Sequence, residues 1–303
     1  MFVPFAIFSG IDAEDGMTGS VKRFSHAVKG RLYMTFFSVN TLSAGYGRKR
    51  ILEDISFSLD RECLLGILGA NGSGKTTLLK ALCSLLPHEG SCILEGTALE
   101  KCSPRQMARL CGYIPQRSGI SLDISALDVV LMGFHSHLGL LERPTAAMKA
   151  QACRTLAAVG LAGKEGDNYQ TLSEGQKQLC ILARTLCTGS RLLFLDEPES
   201  ALDFGHRHRM LELLLDWMRE THGAAVVSLH DPFLALNYCH KLLILSEGRL
   251  LGCISPKTDS PKQMEALLAR IYGQVSLVSC RKRDGGRRLV MLKEDASSPA
   301  ALN

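Results

Sequence analysis

Residues 69–76 read GANGSGKT, and this stretch decides the fold. It fits the pattern G-x-x-x-x-G-K-[ST] at every fixed position. An apolar run, 63–68, precedes it and predicts a strand, while 76–86 follows with leucines at helical spacing. Glycines in such a turn let successive backbone N–H groups point inward at a phosphate. The sequence therefore predicts a phosphate-binding loop between a strand and a helix.

The side chains of this loop suit a nucleotide polyphosphate. The helix start at Lys75 adds the positive end of a helix dipole. We expect the Lys75 ammonium to reach the β- and γ-phosphates and the Thr76 hydroxyl to bind Mg²⁺. The residues expected to contact the nucleotide here are Gly69, Ala70, Asn71, Gly72, Ser73, Gly74, Lys75, Thr76 and Thr77.

A second motif, LLFLDEP at 192–198, places two carboxylates after a buried strand predicted over 191–195. Asp196 leaves the carboxyl end of that strand, where ligands bind in parallel sheets. We expect Asp196 to hold Mg²⁺, largely through water. Glu197 follows directly and points elsewhere in an extended chain, so it is the candidate general base for an attacking water.

Strand and helix patterns alternate along the chain, which favours an α/β fold around a parallel sheet. Further strands are predicted over 54–59, 91–94 and 224–229, with a hairpin over 242–245 and 249–253. Further helices are predicted over 127–132, 146–159, 174–187 and 207–221. The stretch from about 104 to 189 is largely helical, which indicates an inserted helical subdomain, placed at about 104–170. Residues 1–33 show no period and are predicted to be a poorly ordered extension, with translation starting at Met17 or Met34 as alternatives.

Composition points to a globular chain with a sizeable core. Of its 303 residues 46% are hydrophobic and 21% charged, and its net charge is +5. The basic excess concentrates near the two ends, in Lys22, Arg23, Lys29, Arg31, Arg281, Lys282, Arg283, Arg287 and Arg288. A solvated surface and a contact with nucleic acid or a membrane face both remain open for these runs.

The cysteines and histidines indicate neither disulfides nor metal. The 11 cysteines are scattered without a CxxC pair, which is typical of small buried hydrophobes in a reducing compartment. The close pairs His135/His137 and His206/His208 lack a cysteine or carboxylate at ligand spacing, so we expect no structural metal. No run reaches the roughly 18 apolar residues of a membrane span, so we expect a cytoplasmic chain.

The segment LSEGQ, 172–176, just before the LLFLDEP strand, resembles the signature motif of ABC ATPases. Other motifs of that family follow the same order: Tyr46, Gln116 in YIPQ, SALD at 200–203, and His230 after a strand. The resemblance covers about 34–292. It implies a P-loop NTPase (RecA-like) core with an inserted α-helical subdomain and an N-terminal antiparallel β portion, using ATP and Mg²⁺.

The resemblance also implies roles for individual residues. Tyr46 would stack on adenine, and Gln116 would link the Mg²⁺ site to the helical subdomain. The implied catalytic residues are Lys75, Gln116, Glu197 and His230, and the implied Mg²⁺ residues are Thr76, Gln116 and Asp196. In a two-fold homodimer the signature of one subunit would face the γ-phosphate held by the other. The signature comprises Leu172, Ser173, Glu174, Gly175 and Gln176, and the D-loop Ser200, Ala201, Leu202 and Asp203.

Two residues depart from the family pattern. Glu174 replaces the usual first glycine of the signature, and we expect its carboxylate to point outward. Glu199 stands where a threonine or similar residue is common. Neither change removes a contact that the chemistry requires, but both could lower turnover.

Two segments resemble importer ATPases for ferric siderophores, haem and vitamin B12. They are VVLMGFHSHLGLLERP, 129–144, and the tail from Ile271, with a short strand pair over about 271–293 around Asp284-Gly285-Gly286. The resemblance implies two membrane permease subunits, indirectly a substrate-binding protein, and a place at the cytoplasmic face of the membrane. No nucleic acid is expected.

Three alternatives stay open at this point. The chain could serve another transporter branch, such as zinc or manganese import, or export. It could be a soluble ABC ATPase of translation or DNA repair, although it has one cassette and no long coiled coil. It could bind nucleotide without hydrolysis, although Glu197 and His230 are both present.

Overall fold

The computed structural model describes residues 35–117, 119–139 and 141–294. The predicted extension 1–33, with its basic residues, and the end of the predicted domain, 295–303, lie outside the described residues. Within the described part the strands are β1 (Phe37–Tyr46), β2 (Lys49–Leu59), β3 (Leu64–Leu68), β4 (His88–Leu94), β5 (Thr97–Ala98), β6 (Cys111–Ile114), β7 (Leu192–Asp196), β8 (Ala224–Ser228), β9 (Lys241–Ser246), β10 (Arg249–Ile254), β11 (Val275–Arg281) and β12 (Arg287–Lys293). The α-helices there are α1 (Lys75–Leu82), α2 (Pro104–Leu110), α3 (Ala126–Leu131), α4 (Ala146–Ala158), α5 (Glu174–Leu186), α6 (Phe204–Thr221), α7 (Pro232–Tyr238) and α8 (Pro261–Tyr272).

A six-stranded sheet in the order β10-β9-β3-β8-β7-β6 forms the centre of the molecule. Strand β3 pairs in parallel with β8 and β9, and β7 pairs in parallel with β8 and β6. Only β10, at the edge, runs antiparallel, in the predicted hairpin where Arg249 pairs with Ser246. This arrangement brings the carboxyl ends of β3, β7 and β8 to the same edge of the sheet.

Alternate residues of these apolar strands belong to two hydrophobic cores. In β3, Leu64 and Leu68 face a core shared with α3 to α7, whereas Leu65 and Ile67 face one shared with α1 and a second sheet. Because both faces are covered, the central strands are continuous apolar runs rather than alternating ones. The run LLFL at the start of β7 divides between the two cores in the same way.

The second sheet, β2-β1-β4-β5, is antiparallel and confirms the expected N-terminal β portion. Strand β1 pairs with both β2 and β4, with register shifts after Val39 and after Asn40 respectively. Its buried side chains, among them Phe37 and Leu42, pack in the core that α1 shares. The two sheets therefore hold α1 between them.

The stretch predicted to be mostly helical contains a strand. Residues Cys111–Ile114 form β6, which pairs with β7 at the sheet edge. Four residues with a glycine carry too little periodicity to be distinguished from a helix start, so tertiary pairing decides here. Helices α3, α4 and α5 follow β6 and pack on one another, as the inserted helical subdomain requires.

Helices α7 and α8 were not predicted, although each has a start signal. Ser260 caps α8 with Pro261 at its first position, and Gln263 completes a reciprocal capping box. Asp231 caps α7, again followed by a proline. Helix α7 has seven residues, too few for a clear period. Helix α8 has twelve, and its Met264, Leu267, Leu268 and Ile271 follow helical spacing, a signal that was overlooked.

The predicted C-terminal strand pair forms as β11 and β12, with Arg281 opposite Arg287 across the turn. Asn237, in α7, fixes this hairpin to the domain. Its Nδ2 donates to the Leu289 carbonyl at 2.8 Å, and the Leu289 N–H donates to its Oδ1 at 2.9 Å. Within the described residues, no helix is long and apolar enough to cross a membrane.

We predict that Phe194→Ala will lower the free energy of unfolding by about 3–5 kcal/mol. Phe194 is fully buried in β7, and its ring meets that of Phe37 edge to face at 6.0 Å between centroids. The matched control is Phe204→Ala, because the Phe204 side chain is 78% exposed. Urea denaturation should show a change within about 0.5 kcal/mol for the control. Equal losses in both variants would contradict the assigned core.

Candidate nucleotide-binding site

The loop between β3 and α1 has the backbone of a phosphate cradle. Gly74 adopts a φ of 105°, in the left-handed region, immediately before α1 begins. At Gly69 a Cβ atom would lie 2.3 Å from the Leu245 carbonyl oxygen, so this position excludes every other residue. The loop thus turns tightly and directs the N-terminus of α1 toward the space above it. The Ser73 hydroxyl is buried with no partner among the described residues, as in a cradle whose occupant is polar.

Lys75 lies inside this loop with its side chain buried. Its Nζ donates hydrogen bonds to the Gly69 carbonyl at 2.9 Å and the Ala70 carbonyl at 3.2 Å. Burial lowers the pKa of Lys75, and the nearby carboxylates of Glu197 and Asp196 oppose that shift. The ammonium is therefore held by weak neutral acceptors, which an anionic phosphate would outcompete.

Asp196 connects the ends of β7 and β8 with the start of α1. Its Oδ1 accepts hydrogen bonds from the Thr76 hydroxyl at 3.1 Å and from the Ser228 hydroxyl at 2.9 Å. The Ser228 hydroxyl also accepts from the Glu197 N–H at 2.9 Å. A hydroxyl and a carboxylate that converge in this way are the oxygen ligands that Mg²⁺ prefers. The residues predicted to hold Mg²⁺ from the loop and the strand are thus adjacent.

Glu197 is held between two partners on other elements. The Gln116 side-chain amide donates to its Oε2, and His230 Nε2 lies 2.6 Å from its Oε1. The φ of Glu197 is 48°, which is uncommon for a residue with a side chain and typical of functional sites. That turn directs its carboxylate away from Asp196 and toward Gln116 and His230. Sequence reasoning chose these three residues separately, and the structure brings them together.

A cavity of about 580 Å³ opens over the loop. Its lining residues are Tyr46, Lys49, Ile51, Asn71, Gly72, Gly74, Lys75, Thr76, Thr77, Gln116, Glu197 and His230. The size suits a small-molecule site, and Tyr46, 49% exposed, offers a ring at its rim. Lys49 and Ile51 of β2 were missed, because they belong to no motif and only the pairing of β2 with β1 brings them here.

The signature and D-loop residues do not line this cavity. Ser173 caps α5 in a reciprocal capping box with Gln176, which leaves the helix N-terminus facing outward. At Gly175 a Cβ would lie 3.0 Å from the Ala201 carbonyl oxygen, so the signature and the D-loop are in contact. Neither segment contributes a side chain to the lining of this cavity.

The remaining D-loop residues lead into α6. Asp203 caps that helix by accepting the His206 N–H at 2.9 Å, and Leu202 is buried. Ser200 and Ala201 are exposed. Of the two departures, Glu174 points outward as predicted: its side chain is 78% exposed and pairs with Lys177 at 2.9 Å.

Glu199 is a buried carboxyl group behind the cavity. It is 2% exposed, and its Oε1 accepts the His230 N–H at 2.9 Å. Its Oε2 has no hydrogen-bond partner among the described residues. Burial raises the pKa of Glu199, an effect that the His230 N–H partly offsets. Glu199 therefore holds the His230 backbone through this hydrogen bond, and burying its carboxylate costs electrostatic free energy.

Known proteins are similar to this chain in sequence and fold. The family model described as "ABC transporter" matches residues 52–200, and a model for an AAA domain matches 164–237. The probable iron chelatin transport ATP-binding protein of Helicobacter pylori is 36% identical over 237 residues, covering 76% of this chain and 91% of the relative. This chain belongs to the ABC transporter ATP-binding proteins. As an ABC ATP-binding protein it binds ATP and is an ATPase.

Other ABC proteins agree with this assignment. The hemin import ATP-binding protein HmuV of Deinococcus radiodurans is 37% identical, covering 72% of this chain and 84% of its own length. A solved ABC transporter, assigned to the metal-chelate type and in an inward-facing conformation, matches with a TM-score of 0.72. That match covers 86% of this chain and 99% of the other at 24% identity, and it supports the fold. The predicted P-loop core with an inserted helical subdomain is confirmed.

We predict that Glu199→Gln will stabilise the protein at neutral pH. A raised folded-state pKa means that ionising Glu199 costs the folded state free energy. Stability is therefore lost as pH rises from the unfolded value of about 4.5 toward the folded one. Glutamine keeps the acceptor for the His230 N–H and cannot ionise. The gain at pH 7 should be about 1.4 kcal/mol for each unit by which burial raises the pKa.

Thermal unfolding followed from pH 4.5 to pH 8 checks this prediction, and the difference from wild type should shrink toward pH 4.5. Glu174→Gln is the matched control, since that carboxylate is exposed and should change stability by less than about 0.5 kcal/mol. A Glu199→Gln protein less stable than wild type at pH 7 would show that the ionised carboxylate is required.

Proposed function

We propose that this chain is the ATP-hydrolysing subunit of an ABC importer that energises uptake of an iron chelate, haem or a cobalamin-type compound through separate membrane subunits. The observation that carries the catalytic part is the position of Glu197. Its carboxylate lies at the cavity, between Gln116 and His230 and beside the loop of Lys75.

The site residues have distinct roles in this proposal. Thr76 and Asp196 would hold Mg²⁺, with Gln116 beside them, and the metal would neutralise charge between the phosphates when bound. Lys75 would bind the β- and γ-phosphates, and Tyr46 would stack on the base. Their side chains line or adjoin one cavity, which supports the assignment.

Glu197 is the proposed general base. Its carboxylate would take a proton from the attacking water, while Gln116 and His230 keep it oriented. The Glu197 side chain is 11% exposed and lines the cavity, where the attacking water would lie. His230, with its side chain 44% exposed, is accessible from the cavity and would contact the terminal phosphate.

The signature residues complete the site in a homodimer. Ser173 and Gly175 lie outside their own cavity, at the outward-facing start of α5. In the proposed two-fold dimer, α5 of one subunit directs its N-terminus at the phosphate bound by the other. ATP would close the dimer by binding both surfaces, and hydrolysis would release them.

The proposed cargo follows the relatives with matching sequence. They are named for iron chelatin and for hemin import, and cobalamin import proteins occur among them as well. By the same likeness the dimer would act on two membrane permease subunits at the cytoplasmic face, with a substrate-binding protein as an indirect partner. Nucleic acid has no part in this proposal.

We predict that Glu197→Gln will keep ATP binding and slow hydrolysis by about a hundredfold or more. Glutamine preserves the size of the side chain but cannot accept the proton of the attacking water. Steady-state phosphate release and nucleotide binding should be measured on the same preparation. Glu174→Gln is the control and should hydrolyse ATP at a rate near that of wild type. Unchanged turnover in Glu197→Gln would assign the base role elsewhere.

The same variant tests the dimer. Sizing chromatography with Mg²⁺ and ATP should show Glu197→Gln as a dimer, because slow hydrolysis traps the closed state. Adding Ser173→Arg to it should return a monomer that still binds nucleotide, since the arginine obstructs only the partner's phosphate. A normal dimer in the double variant would refute the role of α5 across the interface.

The transport proposal is tested by the partners of the trapped protein. Tagged Glu197→Gln protein, purified from host membranes with ATP, should retain a polytopic membrane protein in stoichiometric amount, identified by mass spectrometry. Lys75→Ala is the matched control for ATP-dependent association. Recovery of ribosomes, DNA or soluble partners alone would leave the ATPase chemistry intact and overturn the importer proposal.

A further inference from the structure

Three potential metal ligands that do not line the nucleotide cavity converge on β4 and the turn that follows β5. His88 is the first residue of β4, and Cys92 lies four residues further along the strand. Their side chains therefore share one face of the strand. Glu100 belongs to the single 3-10 turn Leu99–Lys101. One ligand atom from each residue lies within 4.8 Å of those of the other two. We call these residues the His88–Cys92–Glu100 cluster.

The spacing within the cluster is close to that of a tetrahedral metal site. His88 Nε2 lies 3.4 Å from Glu100 Oε1 and 3.8 Å from Cys92 Sγ. Tetrahedral zinc, with ligands at about 2.0–2.3 Å, sets nitrogen about 3.4 Å from oxygen and about 3.6 Å from sulfur. The two observed separations are close to these values, while the third pair, Cys92 and Glu100, has ligand atoms within 4.8 Å of each other and would approach further on binding the ion.

The surroundings also match those of a metal-binding histidine. The second ring nitrogen of His88, Nδ1, lies 3.4 Å from the Leu86 carbonyl oxygen. A backbone carbonyl in this position fixes the tautomer that presents Nε2 to a metal. The Cys92 N–H donates to Glu100 Oε1, which orients the carboxylate within the cluster. The ligand orientations are thus set before any ion binds.

The cluster lies at the boundary between the hydrophobic core and solvent. Cys92 is fully buried, and the His88 side chain is 4% exposed. The Glu100 side chain is 28% exposed and leaves a route for an ion and for a water as fourth ligand. Burial raises the pKa of the Cys92 thiol to about 12, so the free thiol is protonated and releases its proton when it binds a metal.

We propose that the His88–Cys92–Glu100 cluster binds a zinc-class divalent cation. A mixed nitrogen, sulfur and oxygen set with one open position suits zinc better than a hard cation such as Mg²⁺. The ion joins the start of β4 to the turn before α2, and so braces the antiparallel sheet against which α1 packs. This revises our expectation of no structural metal, which rested on the scattered cysteines and the two histidine pairs.

Cobalt binding tests the proposal, because a cobalt–thiolate bond absorbs in the near ultraviolet. Chelator-treated, nucleotide-free protein should develop this absorption up to one equivalent of Co²⁺ per chain, and Zn²⁺ should abolish it. Cobalt at Thr76 and Asp196 would have oxygen ligands and lack this band. Cys92→Ser should eliminate the absorption, while Cys280→Ser, at an exposed cysteine on β11, should retain it.

His88→Gln and Glu100→Gln cover the case in which the Cys92→Ser protein fails to fold. Each should weaken Co²⁺ binding at least tenfold, while the ATPase site keeps its residues. Absence of the band in the wild-type protein would overturn the proposal. So would a band that persists in Cys92→Ser, or affinities unaltered in both His88→Gln and Glu100→Gln.

Discussion

The Asp196 carboxylate joins the strand ends on which the site depends. Through Oδ1 it contacts Thr76 at the start of α1 and Ser228 at the end of β8, while Asp196 itself ends β7. A buried carboxylate is stable only when it is hydrogen-bonded, so these contacts are a requirement of the fold as much as of the site. They fix the relative positions of the strand ends at this edge of the parallel sheet. The phosphate loop, the acid pair and Gln116 all follow strands that end at this edge.

Glu197 shows how that constraint extends to the neighbouring residue. Its N–H is bound by the same Ser228 hydroxyl, and its backbone turns to a positive φ. A left-handed conformation costs about 1–2 kcal/mol for a residue with a side chain. The contacts of its carboxylate with Gln116 and His230 offset this cost. As a result the carboxylate faces the cavity rather than the hydrophobic core.

The sequence predicted the site better than it predicted its surroundings. The chemistry of the loop at 69–76 and of the acid pair at 196–197 requires residues that are adjacent in the chain. Both motifs can therefore be recognised from the sequence alone. Helix α8 was missed although S-P-K-Q at 260–263 forms a capping box and the apolar residues after it recur at helical spacing. Strand β6 was missed because only its pairing with β7 makes it a strand. The position of Lys49 at the cavity depends on strand pairing, and the His88–Cys92–Glu100 cluster depends on a turn. Neither can be predicted from the spacing of residues in the sequence.

The charges around the cavity explain why nucleotide and cation belong together. Asp196, Glu197 and Glu199 lie close enough to Lys75 that each acts on the pKa of its ammonium. One buried ammonium cannot balance three carboxylates, and a bare polyphosphate would add negative charge to the same small volume. The proposed Mg²⁺, held where Thr76 and Asp196 meet, would offset the repulsion between the phosphates and these acids. Glu199 adds to this negative charge when it ionises, which its burial opposes.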